Sequence, residues 1–362
     1  MSRTLTVFGH LAPARRAILP DVKVQLKPLS QQVIVITGAT SGIGLATARM
    51  AAKRGAKLVL AARNEEALHQ LEGEINAAGG QALAVPTDVT KKQEVVNLAD
   101  AAVSRFGDFD TWVNDAGGSI YGLIRKVPVE EERKLFELNY WGVVYGSRVA
   151  ADFMRDRGGA IVNIGSVASD RAIPLQSAYS ASKHAVKAFT DALRVELEKE
   201  GAPVSVTLIK PTAIDTPFFR HAKTYMEAQP VEPSPMYAPE LVAKAILCAA
   251  ENPMRDLLVG DKAPLESWMG RFFPGLGDKF VKRTMFEGQK SDRRPQPGEN
   301  RVFQGPSSEL RERGGYDEVT TMEHSMYTEA AMRPLLTGAV TMGICAAVAA
   351  VLLGSGGKKG WF

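Results

Sequence analysis

The sequence predicts an α/β fold: a doubly wound, seven-stranded parallel sheet with helices on both faces. Three observations carry that expectation. Short apolar runs alternate with stretches of helical spacing from residue 32 to about residue 260, the pattern of strands covered on both faces. A glycine-rich turn, TGATSGIG at Thr37–Gly44, joins the first apolar run to the first helical stretch. The remaining motifs of chemical interest all fall at the carboxyl ends of such runs, where an open sheet of this kind binds ligands.

In chain order, strands are expected at Val33–Thr37, Lys57–Ala61, Ala82–Val85, Thr111–Asn114, Ala160–Gly165, Val204–Lys210 and Leu257–Gly260. The longest helical stretches are Val129–Arg157 and Ala178–Gly201. Right-handed crossovers then wind the sheet in two directions. At the first turn, Gly38 permits a tight bend, while Gly42 and Gly44 let backbone and ligand approach. The helix that follows presents free N–H groups and the positive end of its dipole, which suits a pyrophosphate. Turns of this kind also serve merely to join a strand to a helix, so the turn alone does not decide.

At 362 residues, with 45% hydrophobic and 23% charged residues, the chain can bury a full core. A net charge of +4 over this length, without zinc-ligand spacing or interleaved aromatic and basic residues, argues against nucleic acid as a partner. Cys248 and Cys345 lie far apart with hydrophobic flanks, which fits a reducing compartment or indifference to redox. Residues 1–31 form a basic arm, with Arg3, Arg15, Arg16, Lys23 and Lys27 against Asp21; a transit peptide would look similar, but a secretory apolar core is missing.

Residues 32–262 make the sheet domain. Residues 263–286 are an aromatic and basic subdomain or lid, and 287–330, rich in Gly, Pro, Arg, Glu and Ser, read as a flexible linker. Residues 331–362 are a hydrophobic tail with 24 charge-free positions between Arg333 and Lys358, long enough for a membrane helix. Ala339 and Gly343 would suit close helix pairing there, so an interface or partner-binding helix is the alternative. The expected location is membrane-associated with the catalytic domain in the cytoplasm, or else soluble in the cytoplasm.

The chemistry starts at YSASK. Tyr179 and Lys183 stand four residues apart, on one face of a helix. An ammonium beside a phenol favours the phenolate, which tunes the hydroxyl for proton transfer near neutral pH. Ser166, at the end of the strand IVNIG, offers a hydroxyl to a substrate oxygen. Glycine turn, strand-end serine and tyrosine–lysine pair together make chance a poor explanation.

With these residues in view, the chain resembles the short-chain dehydrogenase/reductase family over residues 32–260 or so. The matching motifs are TGATSGIG, Asp88 in DVT, NDAG at Asn114–Gly117, Asn139 in ELNYWG, Ser166, YSASK and PTAIDTP at Pro211–Pro217. The resemblance implies a Rossmann fold, a nicotinamide cofactor and an oxidoreductase acting on a carbonyl/alcohol pair. It implies Tyr179 as proton donor and acceptor, and Lys183 as the residue that tunes it and holds the nicotinamide ribose. Ser166 would bond the reacting oxygen, and the backbone of Asn139 would hold a water linking Lys183 to solvent. Gly38, Ser41, Gly42, Ile43, Gly44, Arg63, Asp88, Val89, Asn114, Pro211, Ile214 and Thr216 would contact the cofactor. A homodimer through the two long helices is also implied. Two positions depart from the pattern. Asp115 replaces a second asparagine, which predicts altered hydrogen bonding near the sheet centre without lost binding. Thr212 stands where glycine is common, which predicts a tighter wall for the nicotinamide.

The second strand ends in Ala62-Arg63-Asn64, with no carboxylate to accept from ribose hydroxyls. A guanidinium suits a 2′-phosphate, so NADP is expected over NAD. Phe218–Tyr237, rich in aromatics, Met and Pro, occupies the usual lid position and suggests an apolar substrate. The expected function is thus NADP-dependent interconversion of a carbonyl and an alcohol on an apolar small molecule. The alternatives are a non-catalytic NADP(H)-binding scaffold or redox sensor, and a methyltransferase on the same sheet; neither gives a reason for the tyrosine–lysine pair.

Overall fold

Val33, Ile34, Val35 and Ile36 leave a strand no polar face, and in the fold β1 (Val33–Thr37) is buried on both sides. The other strands of the main sheet are β2 (Lys57–Ala62), β3 (Gln81–Pro86), β4 (Thr111–Asn114), β5 (Gly159–Ile164), β6 (Val204–Pro211) and β7 (Asp256–Val259). The computed structural model describes residues 23–231, 235–294, 302–303, 310–316 and 319–333. All seven strands run parallel, in the order β7-β6-β5-β4-β1-β2-β3. The chain therefore builds outward from β1 to β3, returns to the centre at β4, and builds outward the other way. Connections diverge between β1 and β4, and that divergence opens a crevice at the carboxyl edge.

Alternate residues of each strand feed two cores. Ile34, Ile36, Leu58 and Leu60 face Leu45 and Ala48 of α1 (Gly42–Lys53) and Leu241 and Ile246 of α8 (Pro239–Glu251). Val33, Val35, Val59 and Trp112 face Val95 and Leu98 of α3 (Lys92–Phe106) and Met154 of α5 (Gly142–Met154). Each fully buried branched side chain contributes roughly 1.5–3 kcal/mol. The helix α2 (Glu65–Ala77) completes the first layer, its Asn64 cap accepting from Ala67 N–H.

The long stretch expected at Val129–Arg157 is α4 (Val129–Phe136) and α5 joined by a π-helical turn, Glu137–Trp141. That widened turn carries Asn139, and such turns recur at functional sites. The other long helix, α6, spans Ser177–Glu200 and ends at Gly201, whose φ of +76° completes a left-handed cap. Just before α6, Leu175 holds a φ of +66°, a conformation that strains a branched side chain.

The short helix α7 (Phe218–His221) lies in the expected lid stretch. After β7 come α9 (Ala263–Phe272) and α10 (Pro274–Gly288). Within the stretch read as a linker, Leu310–Tyr316 lies against the body, and Thr321–Met322 pairs in parallel with Met236–Tyr237. A last helix, α11 (Met326–Ala331), docks on the end of β7, where Thr328 Oγ1 accepts from Gly260 N–H at 2.9 Å. Among the described residues no helix is long and apolar enough to cross a membrane. The basic arm over residues 1–22 and the charge-free tail over 334–362 lie outside the described residues, so the hydrophobic tail helix has no structural support here.

Candidate active site

Glycine is required where β1 turns into α1. Gly38 has a φ of +74°, and a Cβ there would lie 2.9 Å from the Ala116 nitrogen. At Gly44 a Cβ would lie 2.3 Å from the Gly38 carbonyl oxygen. These absences of side chain let the turn fold against the end of β4 and leave the amino end of α1 facing the crevice. A cavity of about 690 Å³ extends from this turn to α10, within the size range of small-molecule sites.

Gly38, Ser41, Gly42 and Ile43 line its floor, and Arg63 and Val89 line the far end. Pro211, at the end of β6, and Ile214 and Thr216 just beyond it line it too, Thr216 next to Gly42. Ser166, Tyr179 and Lys183 stand between these groups on the same cavity. Among the sequence-expected residues, Gly44, Asp88, Asn114 and Asn139 do not line it.

Each of those four has a visible occupation. The Asp88 carboxylate accepts from Thr90 N–H and Oγ1, closing a turn, while its neighbour Val89 takes the cavity position. Asn114 is buried at the sheet centre, where Oδ1 accepts from Trp112 Nε1 at 2.8 Å and Nδ2 donates to Asn163 Oδ1 at 2.8 Å and Ser147 Oγ at 3.1 Å. Its side chain thus forms a polar clamp on β4, β5 and α5. Gly44 supports the turn from beneath. Asn139 is fully buried; its amide donates to Gly118 O and Ser182 Oγ and accepts from Gly118 N–H. It ties the π turn both to the loop after β4 and to α6, one residue before Lys183.

The Lys183 ammonium is buried, donates to Ile164 O at 2.7 Å and lies 5.7 Å from the centre of the Tyr179 ring. Burial lowers its pKa to about 8, against the pull of the Asp115 carboxylate. The Tyr179 ring meets Phe218 edge-on at 5.7 Å and is 9% exposed, so its surroundings are apolar. Ser166 Oγ accepts from Ala168 N–H at 3.0 Å, which caps a short helical turn and fixes the side chain. That bond uses an oxygen lone pair and leaves the O–H to be donated.

Asp115 is where the structure explains a departure from pattern. Its carboxylate accepts from Gly44 N–H beneath the turn and faces Lys183, and burial pushes its pKa up to about 7. One of its edges borders the cavity, while protein encloses the rest. The altered hydrogen bonding is therefore a charge placed opposite Lys183. Thr212 donates to Glu266 Oε2 at 2.9 Å, so the tighter wall continues into α9. Desolvation holds the Glu266 carboxyl above the usual carboxylate range.

Some cavity residues were missed in the sequence. Leu265, Met269, Val281 and Met285, on α9 and α10, complete an apolar end, and Val302 closes the side near Arg63. The helical residues had a signal in their apolar spacing. Val302 had none, because it sits in a stretch of linker-like composition.

The model of the short chain dehydrogenase family matches residues 32–226. The chain belongs to the short chain dehydrogenase family. As a member it is an oxidoreductase, and its relatives carry matching names. The "Uncharacterized oxidoreductase YxnA" of Bacillus subtilis (strain 168) is 45% identical over 91% of this chain and 93% of that protein. The "Dehydrogenase/reductase SDR family member 7B" of Bos taurus is 34% identical over 67% of this chain and 78% of its own length. An alcohol dehydrogenase from the archaeon Thermococcus sibiricus, solved in complex with 5-hydroxy-NADP, superimposes with a TM-score of 0.56 at 27% identity, covering 63% of this short chain dehydrogenase and 95% of the archaeal chain.

Proposed function

We propose that the protein is an NADP-dependent oxidoreductase that interconverts a carbonyl and an alcohol on an apolar small molecule. The observation that carries this reading is that Tyr179, Lys183 and Ser166 border the same cavity as the glycine turn. The turn fits a dinucleotide: added side chains at Gly38 or Gly44 would strike backbone, and the cavity beside Ile43 meets the amino end of α1. The archaeal neighbour's bound 5-hydroxy-NADP supports the same cofactor class.

A bound nicotinamide would supply or accept the hydride. Tyr179 gives its proton to the carbonyl oxygen in reduction and takes one from the alcohol in oxidation. Lys183 favours the ionised phenol and offers its ammonium to the nicotinamide ribose hydroxyls. Ser166 donates to the reacting oxygen, a role worth roughly 10²–10³ in rate for a preorganised donor. Asn139 holds the π turn against α6 and so positions Lys183. Arg63 at the end of β2 selects the 2′-phosphate. Leu265, Met269, Val281 and Met285 accept the apolar body of the substrate.

Two further assignments belong with this reading. Exposed Trp141, Phe153 and Val195 on α5, its π turn and α6 support a homodimer through the long helices. The charge-free segment over 334–357 supports membrane attachment. Release from the membrane pellet on removal of residues 334–362 is expected; a soluble full-length protein would contradict it. The function itself is tested by NADPH oxidation over carbonyls graded in chain length and ring number, with NADH in parallel. Turnover that rises with apolar size and favours NADPH is expected. Binding of NADPH with no turnover on any carbonyl would instead favour the scaffold reading.

A further inference from the structure

The matched family region ends at residue 226, yet the cavity has a wall from much later in the chain. Val302 is 4% exposed and packs where Gly118 leaves room; a Cβ on Gly118 would lie 2.2 Å from its Cγ2. The carbonyls of Val302 and Phe303 accept from the Arg63 guanidinium at 3.0 and 3.2 Å. Farther along, Gly42 N–H at the start of α1 donates to Arg311 O at 2.8 Å, and Ser41 bridges Arg311 in parallel. Gly314 N–H donates to Asp215 Oδ1 at 3.0 Å, and Tyr316 Oη donates to Thr216 O at 2.9 Å. Thus late residues touch the glycine turn, the Arg63 end and the loop after β6, three edges of one cavity.

Resting on the NADP reading above, we propose that Val302, Phe303 and Leu310–Tyr316 form the outer wall of the dinucleotide site and that this wall must detach for the dinucleotide to exchange. The cavity persists with the wall in place, running from Ser41 and Arg63 to Met285; Val302 lines it, while Phe303 and Leu310–Tyr316 back the residues at its edge. Val302 offers an apolar surface to the adenosine end. The bonds to Arg63 hold its guanidinium at the mouth, where a 2′-phosphate is expected.

What fastens the wall lies outside the cavity. Glu312 pairs with Arg49 at 2.7 Å, and Arg313 pairs with Glu240 at 3.0 Å and Glu323 at 2.7 Å. Partly exposed ion pairs of this kind are individually weak, which suits a fastening that opens. Weakening it should act on departure of the ligand more than on its arrival.

The test uses the full-length protein and the double variant Glu312→Ala/Arg313→Ala, neither residue touching the cavity. NADPH dissociation is followed by stopped-flow fluorescence with excess NADP as the chase. A dissociation rate about five- to thirtyfold faster in the variant is expected, from the loss of a few weak pairs. In the wild type, NADPH should also slow tryptic cleavage after Arg311 and Arg313. An unchanged rate, tighter binding by the variant, or cleavage indifferent to NADPH would overturn the wall while leaving the cofactor reading in place. Failure of the wild type to bind either NADPH or NADH would overturn both.

Discussion

The inner and outer walls of the cavity are built on different physics. The inner wall is made of strand ends and α6, where Lys183 and Ser166 are buried and bonded to backbone and the buried Tyr179 ring packs against Phe218. The outer side has two parts: α9 and α10, which show solvent Leu265, Trp268, Phe272, Phe273 and Leu276, and the later residues proposed above as a wall, where Glu312 and Arg313 make surface ion pairs. Rigid placement suits atoms that must meet a reacting carbonyl within tenths of an ångström, whereas an adaptable apolar face suits a substrate body. On the proposed reading, the contrast puts chemistry and selectivity on separate parts of this chain.

The contrast can be broken most severely at Tyr179. Tyr179→Phe should lower kcat by about 10²–10⁴-fold, the usual worth of a positioned proton donor, with NADPH affinity nearly unchanged in fluorescence titration. Retained turnover would remove the inner wall's role. At the mouth, Arg63→Ala should weaken NADPH about 10–100-fold, as lost charge-assisted bonds do, and leave NADH nearly untouched. An equal loss for both dinucleotides in the same titration would argue that Arg63 serves the fold and not the phosphate.

A smaller effect is expected on the outer wall. Met269→Ser should lower kcat/KM for large apolar substrates about tenfold, the order of a lost apolar contact, with little change for short carbonyls. A uniform loss across chain lengths would blur the division between the walls. The smallest change is a shift in pH dependence. Burial depresses the Lys183 pKa to about 8, and the Asp115 carboxylate keeps it from falling further. The ammonium is present below that pKa and lost above it. Asp115→Asn should therefore move the alkaline limb of the pH–rate profile towards lower pH, and a limb that stays in place would separate Asp115 from Lys183.

Legibility in the sequence follows the same division. The strands were readable because β1 and its neighbours are buried on both faces and so have apolar runs without polar interruption. Tyr179 and Lys183 were readable because helical spacing alone puts them together. Asn114 and Asp88 show the limit: the partners of their side chains, a central polar clamp and a turn, depend on Trp112, Asn163 and Thr90. The outer wall was least readable. Val302 and Arg311 act through shape and a backbone carbonyl, which any residue possesses, so composition marked them only as a linker.

The most direct measurement is a crystal structure with NADP bound. The nicotinamide ribose hydroxyls are expected within hydrogen-bond reach of Lys183 Nζ, the 2′-phosphate against Arg63, and Tyr179 Oη facing the nicotinamide ring. A dinucleotide bound elsewhere, or a Tyr179 hydroxyl turned away from that ring, would contradict that arrangement.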